Sequence, residues 1–138
     1  IIRDAHINPM SLDWRRFLVA EDDTDPKARS VQKPCGSIVG VGQVKQHGDG
    51  SRELASIAVI PARRGQGIGG EIIRALLAQE MGKVYLMCRD ALESYYARLG
   101  FRRVARAEMT PYFRRMIRVA NVFSTFARAG VKIIVMKR

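Results

Sequence analysis

The hydrophobic pattern of the chain predicts short strands and one clear helix. Residues 37–46 are rich in β-branched side chains, and a second run of this kind covers residues 53–60. Turn-forming residues at 47–51, Asp49-Gly50 among them, separate the two runs, so we expect an antiparallel hairpin. In residues 68–79 the apolar positions recur at helical spacing, which predicts a helix with one buried face.

The rest of the chain alternates between the two kinds of element. A helix end near residues 13–17 feeds a strand at 18–20, and the polar stretch 21–34 predicts a loop. After the central helix we expect a strand, a short helix and a strand, and then a basic amphipathic helix beginning at Pro111 and a final strand. These last elements cover residues 84–88, 92–99, 101–106, 111–129 and 131–136. The order predicts a mixed α/β (α+β) fold.

Composition narrows the class of protein. A chain of 138 residues with 47% hydrophobic side chains fits one domain covering residues 1–138. No apolar run approaches the roughly 18 residues that cross a bilayer, and the first residues lack the order of a signal peptide. We therefore expect a cytoplasmic protein. Because the chain does not begin with Met, we expect its first element to be incomplete.

Side chains that bind metals are few, whereas positive charge is abundant. Cys35 and Cys88 lie far apart and show no metal-ligand spacing with His6 and His47, so we expect reduced thiols and no metal. The net charge of +11 indicates affinity for phosphates, nucleic acid or acidic membranes without choosing among them. No helix-turn-helix, zinc-finger or RNA-reading motif accompanies it, so nucleic acid is not the favoured partner.

A glycine-rich segment joins the second hairpin strand to the central helix. Backbone N–H groups at a helix N-terminus attract anions, and glycine lets the backbone approach phosphate oxygens closely. The segment contains Gly65, Gly67, Gly69 and Gly70, and Arg64 adds positive charge. A turn that merely needs positive φ would require fewer glycines. The pattern therefore predicts a phosphate-binding loop.

Two other nucleotide-binding loops fit this segment less well. A Walker loop needs Lys and then Ser or Thr after its last glycine, but an acidic residue follows Gly70. The dinucleotide fingerprint G-x-G-x-x-G matches at Gly65, Gly67 and Gly70, and Asp90 lies about 20 residues farther on. In that fold, however, the first glycine follows its strand almost directly, whereas residues 61–64 intervene here. The dinucleotide alternative is the weaker one but stays open.

The segment as a whole resembles the V-x-P-x-x-[QR]-x-x-G-x-[GA] signature of the GNAT N-acetyltransferase superfamily. The residues that carry the resemblance are Pro61, Arg64, Gly67 and Gly69. A second resemblance follows at residues 95–101, whose sequence YYARLGF is similar to the family element Y-x-x-x-G-F. The resemblance covers about residues 18–136, and its specific motifs lie within residues 53–101.

This resemblance implies a mostly antiparallel central sheet flanked by helices. It also implies an enzyme that transfers an acetyl or related acyl group from acetyl-CoA to a primary amine, by direct attack in a ternary complex. The basic helix at 111–129 is then an extra element before the last strand. Its Arg114, Arg115 and Arg118 could cover the acceptor site, contact the coenzyme's 3′-phosphate, lie on an acidic membrane or simply be solvated.

The resemblance further implies a set of site residues. In the family, the strand before the loop binds the pantetheine arm and the loop amides bind the pyrophosphate; these residues are Ile57, Ala58, Val59, Arg64, Gly65, Gln66, Gly67, Ile68, Gly69 and Gly70. Glu53 resembles the base of the histone acetyltransferase branch, and its alternative is an exposed strand carboxylate. Tyr96, rather than Tyr95, falls on the tyrosine that donates to the coenzyme sulfur, and its alternative is an aromatic packed in the core. Arg89 stands where many members have an asparagine near the cofactor.

Two other functions remain open beside the enzyme. A non-catalytic acyl-CoA-binding module would keep the loop and lack the base. A basic nucleic-acid-binding protein would show a steep salt dependence. The expected partners of the enzyme are acyl-CoA and an amine acceptor that the sequence does not identify, and a homodimer is left open.

Overall fold

The computed structural model describes residues 14–22, 36–126 and 132–138. Within these ranges the strands are β1 (Phe17–Asp22), β2 (Ser37–Gln46), β3 (Arg52–Val59), β4 (Val84–Arg89), β5 (Arg102–Arg103) and β6 (Ile133–Lys137). The helices are α1 (Ile68–Ala78), α2 (Glu93–Ala97) and α3 (Pro111–Phe126). His6, Cys35 and most of the predicted loop at 21–34 lie outside the described residues. In the part that is described, no helix is both long and apolar enough to cross a bilayer.

The six strands form one sheet in the order β1-β2-β3-β4-β6-β5. Antiparallel pairs join β1 to β2, β4 to β6 and β5 to β6. The parallel pair is β3 with β4, and its register covers Arg52 opposite Val84 and Glu53 opposite Tyr85. The predicted fold class, a mixed and mostly antiparallel sheet with helices and an extra helix before the last strand, is confirmed.

The chain divides into two compact units. The first comprises Ile1–Val44 and Ala55–Glu80. In it, α1 lies so close to β2 that a side chain at Gly42 would clash: a Cβ there would stand 2.7 Å from Ile72 Cγ2 and 3.0 Å from Leu76 Cδ1. Ile72 and Ile73 are fully buried on this face of α1. The apolar stripe read from the sequence is therefore the face that packs on the strand.

The second unit comprises Lys45–Leu54 and Met81–Arg138. Its core is a cluster of Tyr85, Val104, Phe113 and Val135, and the rings of Tyr85 and Phe113 stack with centroids 5.0 Å apart. Phe113 belongs to α3, so the extra helix contributes its apolar face to this core. The helix begins at Pro111, whose missing N–H costs nothing at a first helical position.

Some predicted boundaries differ from the structure. The strand expected at 101–106 pairs only at Arg102–Arg103. Val104 N still donates to Val135 O at 3.0 Å, but the chain then forms a 3-10 turn at Arg106–Glu108 that leads into α3. Residues 21 and 22, expected in a loop, extend β1 past a bulge. For α3, positions 127–129 of the predicted range lie outside the described residues, and the single-domain organisation stays a prediction.

Candidate functional site

The glycine-rich loop takes a conformation that glycine alone adopts easily. After a 3-10 turn at Pro61–Arg63, Gly65 has φ +77° and Gly67 has φ +83°. Apart from the adjacent residues of the chain, no described residue has a heavy atom within 4 Å of a Cβ built on either glycine, so the backbone angle rather than crowding requires glycine at these two positions. Both glycines are exposed, which leaves the backbone of the loop open to a ligand.

The start of α1 is the electropositive end of this loop. Gly67 is its N-cap residue, and within the described part of the chain no side chain caps the helix. The first N–H groups of a helix have no internal partner, and the helix dipole adds partial positive charge there. Arg63 is paired with Asp22, whereas Arg64 donates from Nε to Val59 O at 3.1 Å and is otherwise exposed. Of the two arginines, Arg63 is therefore neutralised by a carboxylate, whereas Arg64 has no carboxylate partner among the described residues.

Strand β3 carries an unusual backbone angle just before the three residues predicted to bind pantetheine. Ser56 has φ +58°, a conformation that non-glycine residues seldom adopt. Gln43 Nε2 donates to Ser56 Oγ at 3.0 Å, and both side chains are buried. This buried hydrogen bond fixes the side chain of Ser56 at the position of the unusual backbone angle. Ile57, Ala58 and Val59 follow it directly and lie outside the short parallel register of β3 with β4.

Glu53 is held by a histidine that sequence reasoning considered only as a metal ligand. His47 Nε2 lies 2.8 Å from Glu53 Oε2, and the two side chains are only 12% and 14% exposed. The His47 ring stacks on Tyr112, with centroids 3.5 Å apart, and meets the edge of Phe113. Glu53 is thus a half-buried, hydrogen-bonded carboxylate and not the exposed strand carboxylate of the alternative interpretation.

The turn between β2 and β3 also holds the start of α3. Asp49 Oδ2 accepts a hydrogen bond from Tyr112 N at 3.0 Å, and Asp49 Oδ1 accepts from the Ser51 hydroxyl at 2.6 Å and from Ser51 N at 3.0 Å. The Ser51 hydroxyl and the Tyr112 N–H hold the pKa of Asp49 well below its usual range. Asp49 therefore acts as a helix cap from 63 positions away along the chain, and it fixes Tyr112 against His47.

The predicted hairpin already indicated that His47 and Glu53 lie close together. Residues on either side of a tight turn face one another across the two strands, directly or diagonally. His47 and Glu53 flank the turn in this way, since His47 N donates to Ser51 O at 2.9 Å. The contribution of Tyr112 had no comparable signal.

Tyr96 is half-buried among aromatic rings. It meets the edges of Tyr95 at 5.1 Å and Phe101 at 6.0 Å between centroids. Burial raises the pKa of Tyr96 to about 12, so its phenol is protonated at neutral pH and can donate a proton. Burial also raises the pKa of Cys88 to about 11, which makes this thiol a poor nucleophile. Arg89 is exposed at the end of β4.

The predicted site residues fall in both units. The loop residues 64–70 and the strand residues 57–59 belong to the first unit. Glu53, Arg89 and Tyr96 belong to the second, together with the newly found partner His47. Of these, the structure brings Glu53 and His47 into direct contact.

The basic helix contributes in a way that its arginines did not predict. Arg114 donates to the carbonyl oxygens of Arg106 and Ala107 at 3.2 and 2.9 Å, so it ties the helix to the preceding turn. Arg115 and Arg118 are exposed. The helix residues whose rings meet His47, the partner of Glu53, are Tyr112 and Phe113.

A family profile and a curated relative both match this chain. The profile of the Acetyltransferase (GNAT) domain matches residues 13–103. A curated relative, "Probable glucosamine 6-phosphate N-acetyltransferase 2" of Oryza sativa subsp. japonica, is 36% identical over 89 residues, which are 62% of this chain and 52% of the relative. The chain therefore spans about half the length of that relative.

Solved structures share the fold at low sequence identity. N-acetylglutamate synthase from Neisseria gonorrhoeae, complexed with coenzyme A and N-acetyl-glutamate, aligns with a TM-score of 0.65 and 14% identity, over 99% of this chain and 30% of that one. Rv2747 from Mycobacterium tuberculosis, in a complex that includes CoA, aligns with a TM-score of 0.57 and 24% identity, over 87% of this chain and 74% of that one. The matched profile, covering well over half of the sequence, shows that the chain belongs to the GNAT acetyltransferase domain family.

Proposed function

We propose that this chain binds acetyl-CoA and transfers its acetyl group to a primary amine by direct attack in a ternary complex. The observation that carries the proposal is the loop at residues 64–70. Its two exposed left-handed glycines lie at a helix start that no side chain of the described residues caps, and Arg64 adds a charge that no carboxylate among those residues pairs. A diphosphate is the kind of ligand that such a loop stabilises.

The coenzyme would lie along the residues that precede and form this loop. The N–H groups of Gly65, Gln66, Gly67, Ile68, Gly69 and Gly70 would hold the pyrophosphate. The backbone of Ile57, Ala58 and Val59, set off by the irregular angle at Ser56, would bind the pantetheine arm as a neighbouring strand does. Arg89 is the exposed residue at the end of β4 that we expect near this arm. No residue of the proposed set requires a metal.

The chemistry needs one group that takes a proton and one that gives a proton. An amine must be neutral to attack a thioester, so we assign the removal of its proton to the Glu53 carboxylate, whose Oε2 is oriented by His47. The amine nitrogen would bond to the thioester carbonyl carbon first, and the C–S bond would break afterwards, which releases the thiolate. The departing thiolate takes a proton from the Tyr96 phenol, which its raised pKa of about 12 keeps protonated. No covalent enzyme intermediate is involved.

Calorimetric titration of acetyl-CoA into the wild-type chain tests the first step. We expect saturable 1:1 binding, and a loss of at least about tenfold in affinity, or about 1.4 kcal/mol, in Arg64→Glu and Gly67→Asp. Gly48→Asp is the matched control, because Gly48 lies in an exposed turn with no heavy atom within 4 Å of a new Cβ. Absence of binding to the wild type, or equal losses in the control, would contradict the proposal.

Turnover is tested separately, by release of the coenzyme thiol with a panel of amines. The panel begins with glucosamine 6-phosphate, the acceptor in the name of the curated relative, and includes amino acids and lysine peptides. One observation favours a non-catalytic acyl-CoA-binding module as second candidate: one oxygen of the proposed base is already engaged by His47. Binding without turnover on any amine would support that module.

A further inference from the structure

A cavity of about 370 Å³ lies beside α3, where β5 ends and β6 begins. Its floor is apolar, since Val104, Ile134 and Val135 are buried, and Met109 and Ile117 are half-buried. Exposed cationic side chains surround this floor; they are Arg103, Arg106, Arg118 and Lys132. All of these residues belong to the second unit, and none of them belongs to the set proposed above to bind the coenzyme or transfer protons.

Among the described residues, acidic side chains leave three of these four cations unpaired. Among the described residues that line the cavity, none is Asp or Glu. Arg103 lies 3.6 Å from Glu93. Arg106, Arg118 and Lys132 form no ion pair with any residue in the described ranges. At least three positive charges therefore face solvent around one apolar floor.

Glu108, the acidic residue nearest along the chain to the cavity's arginines, forms ion pairs with two other cations. Glu108 accepts from Arg102 at 2.7 Å and from Lys137 Nζ at 2.7 Å. Both partners of Glu108 are cations that do not line the cavity. One exposed cation attracts an anion only weakly, but several of one sign beside a low-dielectric wall reinforce one another.

We propose that this cavity binds a small amphipathic anion, with its carboxylate or phosphate head among Arg106, Arg118 and Lys132 and its apolar body on the floor. The volume falls within the roughly 300–1,000 Å³ of small-molecule sites, which are commonly apolar with a few convergent polar groups. This inference does not depend on acetyl transfer, because binding is measured directly.

The probes are hexanoate and hexyl phosphate, with hexan-1-ol and hexylamine as matched ligands that lack the negative head. Each is titrated into the full chain at constant ionic strength, with backbone amide NMR shifts as the readout. We expect saturable binding of the two anions with shifts at Val104, Ile117 and Ile134, and binding of the alcohol and the amine weaker by at least about tenfold, or 1.4 kcal/mol. The stronger of the two anions identifies the preferred head group.

Two kinds of variant separate a site from general attraction. Arg118→Gln should weaken hexanoate by about threefold, the effect of one exposed ion pair, and adding Lys132→Gln should weaken it further. Arg115→Gln is the control, since Arg115 is exposed on the same helix and does not line the cavity. Ala105→Phe keeps the charge and fills the space from an exposed lining position, and it should abolish binding with an unchanged thermal midpoint.

Several results would overturn the proposal. The proposal fails if Arg115→Gln weakens hexanoate binding as much as Arg118→Gln does, or if hexanoate and hexan-1-ol bind with equal affinity. It also fails if Ala105→Phe still binds hexanoate, or if hexanoate does not saturate the wild type. Arg64→Glu, which alters the loop of the first unit, should leave hexanoate binding unchanged. A loss of acetyl-CoA binding and a loss of hexanoate binding are thereby told apart.

Discussion

Removal of the Asp49 carboxylate should destabilise the chain and loosen the start of α3. In Asp49→Ala the Tyr112 N–H loses its acceptor, a loss comparable to an N-cap deletion at about 1 kcal/mol. The Ser51 hydroxyl and N–H lose theirs as well, and Ser51 is only 7% exposed, which adds about 1 kcal/mol. The free energy of unfolding should therefore fall by about 2 kcal/mol, or about 8 °C in the thermal midpoint for a chain of this size.

The contribution of Asp49 to stability depends on pH, and its pKa gives the sign of that dependence. The folded-state pKa of Asp49 is held below its usual range by Ser51 and Tyr112. The ionised Asp49 carboxylate therefore stabilises the fold fully above about pH 4, the pKa of Asp in the unfolded chain. This stabilisation is lost as the pH falls through the lower pKa of the folded state. Asp49→Asn keeps one acceptor oxygen and should lose about 1 kcal/mol. The gap between wild type and Asp49→Asn should narrow as the pH falls from about 5 to 2.

Urea unfolding followed by circular dichroism measures both effects. The control is Glu71→Ala, which removes an exposed carboxylate paired with Arg74 and should change stability by no more than about 0.5 kcal/mol. The reasoning is refuted if Asp49→Ala unfolds like the control. A gap to Asp49→Asn that stays constant down to low pH would refute the electrostatic part alone.

Three further predictions follow from the described contacts. Gly42→Ala should cost about 1–3 kcal/mol in urea unfolding by overpacking against α1, whereas Gly48→Ala, which meets no atom, should stay within about 0.5 kcal/mol; equal effects would contradict the close packing. Tyr96→Phe should lower kcat by about a hundredfold or more with little change in acetyl-CoA affinity, and an unchanged kcat would exclude it as the proton donor. His47→Leu should lower kcat about tenfold, and His47→Gln, which retains an N–H donor for Glu53, should recover part of it; identical losses would point to a role in packing alone.

The bounds of an element were predicted closely where its own hydrophobic pattern indicates them. The strand expected at 37–46 is β2, Ser37–Gln46, and the helix expected at 68–79 is α1, Ile68–Ala78. Hydrophobic periodicity reports which face of a segment is buried, and it needs no knowledge of the partner. The strand expected at 101–106 was wrong in length because a strand extends only as far as its partner lies alongside, and the chain here turns away after Val104 toward α3.

The sequence by itself determined the family, the fold class and the conformation of the glycine-rich loop. The positive φ angles at Gly65 and Gly67 are a local steric property of residues without a Cβ, and the family motif is written in consecutive positions. Only the tertiary structure decided the surroundings of Glu53. The backbone N–H of Tyr112 meets the carboxylate of Asp49 across 63 positions of chain, and the Tyr112 ring stacks on His47, the partner of Glu53. Hydrogen bonds, ring stacking and burial between such distant residues exist only once the backbone has folded.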